Sequence, residues 1–61
     1  MITKNIFKFA SIAEASAHFY KLGYKTVAFT DYSKIMRKDR NEVMINRESF
    51  LDVIAEELVL E

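Results

Sequence analysis

Sixty-one residues make one domain, 1–61, with no room for a second core. The chain has no cysteine and one histidine, His18, which excludes disulfides and Cys-based zinc sites and leaves any zinc dependent on carboxylates. Nine Lys and Arg against nine Asp and Glu give a formal net charge of zero, which argues against a binder that acts through overall basic charge.

A chain this short buries only about 60% of the surface its unfolded form exposes, so dense packing or a partner is expected. A hydrophobic share of 51%, no proline and one glycine argue against disorder. No apolar run is long enough for a bilayer, and the N-terminus lacks the apolar core of a secretory signal. The expected location is the cytoplasm, or the host cytoplasm if the gene is viral, with no membrane partner. Residues with A/T-rich codons (Phe, Tyr, Met, Ile, Asn, Lys) far outnumber those with G/C-rich codons (Gly, Ala, Arg, Pro), as in an AT-rich genome or a virus infecting one.

Residues 3–9 alternate as a strand does, with Phe7 and Phe9 on one face and Ile6 and Lys8 on the other. Ser11-Ile12-Ala13-Glu14 has capping-box spacing. Ile12, Ala15, Ser16, Phe19 and Leu22 follow as a helical stripe, and Gly23 stands where a left-handed residue closes a helix. The spacing predicts a helix over 11–22, with Tyr24 clasping Phe19.

Residues 25–46 read as β-structure. A turn tip at Asp39-Arg40 sets Arg37 opposite Glu42, Met36 opposite Val43 and Ile35 opposite Met44. The stretch 30–33 fits a bend, a bulge or a further turn. Residues 48–60 read as a second helix, with Phe50, Leu51, Ile54 and Leu58 on one side and Glu48, Asp52 and Glu56 on the other. The expected fold class is therefore α+β: a small β-α-β-β-α domain, its helices packed on one face of a three- to four-stranded, mostly antiparallel sheet.

No catalytic constellation, phosphate loop or metal-ligand spacing is present, so neither an enzyme, a cofactor nor a metal site is expected. His18 lies one helical turn from Glu14, which reads as a surface pair. Charge is uneven: residues 1–47 hold all nine bases against four acids, and 48–61 hold five acids and no base. Lys34, Arg37, Lys38, Arg40 and Arg47 cluster about the hairpin 34–47, near Phe29 and Tyr32, as a nucleic-acid grip would. Asp39 and Glu42 interrupt that cluster.

Two features point to a protein partner. If Phe7, Phe9, Val27, Phe29, Met36 and Val43 face the helices, alternation leaves Ile6, Ala28, Ile35 and Met44 on a face the helices hardly cover, unless a bulge near Tyr32 buries Ile35. The C-terminal helix would add a ridge of Asp52, Glu56 and Glu57 that its own dipole disfavours. The leading expectation is a small non-enzymatic protein-binding module, of a size and character that suit a phage- or mobile-element-encoded modulator that inhibits a host protein. The alternatives are a nucleic-acid-binding protein using the basic hairpin and a homodimer joined through the sheet back or a sheet edge.

Overall fold

In the computed structural model, which describes residues 1–60, the chain runs β1 (Ile2–Phe9), α1 (Ile12–Lys21), β2 (Lys25–Phe29), β3 (Ser33–Lys38), β4 (Asn41–Ser49) and β5 (Asp52–Leu60). The strands form one five-stranded antiparallel sheet in the order β1-β5-β4-β3-β2. From β2 onward the chain is a meander, and β5 closes it by pairing with β1 from Ile2↔Leu60 to Phe9↔Val53. The helix carries the chain from one edge strand to the other across a single face.

This is a mostly β protein with one short helix, not the expected β-α-β-β-α domain with two helices on a sheet. The second helix does not form: residues 48–60 instead complete β4 and make β5. Ile54 and Leu58, four apart, imitate a helical stripe, but Val53 and Ala55 are the fully buried residues of this segment. That is the period of a strand, with β-branched Val53, Ile54 and Val59 favouring it. Ladders to β1 and β4 satisfy the backbone on both sides.

The α1 ends follow from their residues. Ser11, extended at φ −149°, accepts from the Glu14 N–H at 3.0 Å. Gly23, at φ +98°, closes a Schellman motif in which the Tyr24 N–H donates to the Phe19 carbonyl and the Gly23 N–H to that of Tyr20, both at 3.0 Å. The rings of Phe19 and Tyr24 meet edge to face at 5.4 Å. Leu22, expected in the buried stripe, is the C-cap and is exposed.

The core lies between α1 and the sheet: Ala15, Phe19, Tyr24, Met36, Val43, Ile45, Val53 and Ala55, with Phe7, Phe9 and Ile12 packed against it. The hairpin register is the expected one, with Arg37↔Glu42, Met36↔Val43 and Ile35↔Met44, and Asp39 takes a left-handed φ of 53° at its tip. Residues 30–33 are a turn closed by Thr30 N–H donating to the Ser33 carbonyl. The register shift on β2 falls between Thr26 and Ala28 rather than near Tyr32. Val27 sits at that shift and Phe29 stands opposite Lys34 on the helix side; both are expected in the core, and both are exposed. No helix among the described residues is long and apolar enough to cross a membrane.

Candidate interaction surface

The face opposite α1 is read row by row from the strand registers. One row is Ile6, Glu56, Met44, Ile35 and Ala28, from β1 to β2. The next is Lys4, Leu58, Glu42, Arg37 and Lys25, and on the other side lie Lys8, Ile54, Asn46 and Ser33. Ile2 and Leu60 pair at the end of the face. Among the described residues, no element crosses this side of the sheet. Ile6 is 57% exposed and Met44 40%, while Ile35, Ile54 and Leu58 are half-buried by their strand neighbours.

Of the residues expected to bind a partner, Ile6, Ala28, Ile35 and Met44 thus stand in a single cross-strand row. Asp52 and Glu56 share their face but form no helical ridge. Each is tied to β1: Lys4 Nζ lies 3.1 Å from Glu56 Oε1, and Lys8 Nζ lies 3.7 Å from Asp52 Oδ1. The helix-dipole conflict inferred for these acids vanishes with the helix. Ile54 and Leu58 were missed as surface residues because helical spacing had placed them in a core.

Glu57 belongs to the other side. Its Oε2 accepts from the Tyr24 hydroxyl at 2.6 Å, and its Oε1 from the Asn5 amide at 3.1 Å. Burial, then the hydrogen bond to Glu57 and the carboxylate charge, push the Tyr24 phenol well above its ordinary range. Glu57 is a structural acceptor, not part of an outward ridge.

The basic residues are dispersed. Arg37 lies on the open face, where its Nε and Nη2 donate to Glu42 Oε2 at 3.2 and 2.7 Å. Lys34 lies on the helix side, its Nζ 5.7 Å from the centre of the Tyr20 ring. The stem of Lys38 passes over Gly23, where an added Cβ would meet it at 3.4 Å. Arg40 is in the turn, and Arg47, on β4, pairs with Val53 of β5. These five side chains do not converge on one groove. His18 is not paired with Glu14; its ring lies 4.9 to 5.8 Å from those of Phe7, Phe9 and Phe19.

A second exposed apolar feature escaped the sequence reading. Phe50 and Leu51 join β4 to β5, are 84% and 63% exposed, and Leu51 takes a left-handed φ of 62°. Glycine or asparagine ordinarily occupies such a position, so the hairpin carries no sequence signature. The described residues enclose no pocket and gather no cluster of three or more metal-ligating side chains. No family model, curated protein or solved structure matches the chain.

Proposed function

We propose that the chain is a small non-enzymatic binding module that docks a protein on the open face of its sheet. The observation that carries this reading is the uncovered apolar strip of Ile6, Met44, Ile35 and Ala28, widened by Ile54 and Leu58. An apolar strip left facing water and rimmed by polar residues is a candidate contact site. Lys4, Lys8 and Asp52 flank it, and Glu56, paired with Lys4, stands in its row between Ile6 and Met44. Size and residue usage suit a phage- or mobile-element-encoded modulator that inhibits a host protein.

The test compares wild-type and Met44→Glu baits in nuclease-treated and untreated lysate. Met44→Glu should keep the native circular dichroism spectrum and lose the proteins that the wild type retains. Retention that disappears only with nuclease would favour nucleic acid instead. If Met44→Glu unfolds the chain, Met44 is core and the proposed surface does not exist.

A further inference from the structure

We infer that the open face is covered by a second copy of this chain, the two sheets packing face to face between outer helices. This rests on the reading of that face as the contact surface and names its occupant.

Edges and face differ in how they are protected. The β1 edge carries Lys4 and Lys8, and β2 is five residues long with a register shift at its centre. Lysines, shortness and bulges are the devices that keep sheet edges from pairing. The centre of the open face carries charge only in pairs, Glu56 with Lys4 and Glu42 with Arg37. Ile54, Leu58, Met44 and Ile35 occupy its three inner strands. Association by stacking is therefore favoured over extension of the sheet.

The face is also close to electrically neutral. It holds four cations, Lys4, Lys8, Lys25 and Arg37, and three acids, Glu42, Asp52 and Glu56. Each acid already has a basic partner on the same face, at 2.7 to 3.7 Å. Such a surface offers no field to select a strongly charged partner, and another copy of itself meets it without net repulsion.

Area points the same way. The Cα envelope is 33 × 18 × 18 Å. One broad side then has a footprint on the order of 600 Å2 before side-chain relief, against about 800 Å2 removed from each partner in a standard interface. A stable dimer needs nearly the whole face with its side-chain relief, and a second copy presents an equal area. Stacked sheets sit roughly 10 Å apart, the depth that two layers of these side chains fill. The chain's own core is one-sided and rests on eight buried apolar residues, so a second layer supplies the partner that an unstapled small domain needs.

Covering the face would remove Glu56 from water, which is tolerable only while Lys4 stays beside it. This gives the dimer a signature that a merely sticky surface lacks. Lys4→Met alone leaves Glu56 covered and unpaired and weakens association. Lys4→Met with Glu56→Leu replaces the covered pair by apolar groups and restores association or tightens it.

Sedimentation equilibrium on the purified 61-residue chain reads this directly. A dimer is expected with Kd in the micromolar range or tighter, weakened roughly 100-fold by Met44→Glu or Ile6→Glu, with circular dichroism unchanged. The double variant should associate at least as tightly as wild type, and Lys4→Met less tightly. A wild-type chain still monomeric at several hundred micromolar overturns the inference. If Met44→Glu then still releases a lysate protein, the contact-surface reading stands without it. A dimer indifferent to Met44→Glu and Ile6→Glu overturns it as well, and lysate retention alone then decides the contact-surface reading.

Discussion

The two faces of the sheet are built from the same five strands and a similar stock of apolar residues, and they have different fates. On one, Phe19 of α1 enters a layer of Met36, Val43, Ile45, Val53 and Ala55, all fully buried. On the other, Ile6, Ile35, Met44, Ile54 and Leu58 point the opposite way from the same sheet, and no element among the described residues covers them. The difference shows that strand patterning alone does not define a core. A strand with apolar residues on both faces prepares two cores, and the number of covering elements decides how many are filled.

The largest expected effect breaks this comparison at its helix side. Phe19→Ala removes the largest fully buried side chain and its edge-on contacts with Phe7, Phe9 and Tyr24. It should cost roughly 3–5 kcal/mol, enough to unfold most of a domain this small. Met44→Ala, on the other face, should cost the isolated chain less than about 1 kcal/mol. Chemical denaturation at protein concentrations too low for association checks both. Equal losses would mean that the two faces do not differ as described.

How much of this was legible in the residues follows from the same contrast. The capped helix was, because Ser11, Phe19, Gly23 and Tyr24 each meet a local geometric demand and all four agree. The β3–β4 register was, because Arg37 with Glu42 and Met36 with Val43 fit one tip only. The last strand was not. Its apolar residues serve both faces, so Ile54 and Leu58 fell at helical spacing. Its turn is Phe50-Leu51, without glycine or asparagine, so no turn signal separated it from β4. The signal that could have corrected this was Val53 and Ala55 alternating with Ile54, in a run rich in β-branched residues. With that strand misread, Ile54 and Leu58 were lost from the candidate face, Glu57 was wrongly placed on it, and the acids acquired a dipole conflict they do not have.

A finer contrast is available in adjacent carboxylates. Glu57, on the helix side, accepts from Tyr24 and Asn5, while Glu56, on the open side, faces Lys4 with both side chains well exposed. Tyr24→Phe removes a half-buried bond to a charged acceptor and should cost about 1.5–3 kcal/mol. The same bond predicts an alkaline limit. The Tyr24 phenol is raised in the folded state, so the unfolded chain loses that proton first as pH rises. Stability is full below the ordinary tyrosine range near pH 10 and falls as pH climbs above it. In Tyr24→Phe that part of the decline should be absent. Urea midpoints between neutral pH and alkaline pH, compared in the two proteins, measure it; parallel curves would detach Tyr24 from the alkaline transition.

The smallest expected effect lies at the rim of the open face, where Lys8 and Asp52 stand 3.7 Å apart with side chains 75% and 39% exposed. Water screens such a pair, and holding two mobile side chains together costs entropy. Lys8→Ala should therefore change the stability of the isolated chain by no more than about 0.5 kcal/mol, with added salt erasing even that. Lys4→Ala should behave alike in the isolated chain, because Glu56 remains hydrated there. The two lysines should part company only when the face is covered. Both stand on β1, but the acid beside Lys8 is Asp52, at the start of β5, which keeps its water, while Lys4 guards Glu56 in the row that runs through Met44 and Ile35. Thermal melts of both variants at low and high protein concentration separate the cases. Lys8→Ala should follow the wild type at both concentrations, and Lys4→Ala should lose the stabilisation that high concentration confers. Matching behaviour of the two variants throughout would place Glu56 outside any covered surface.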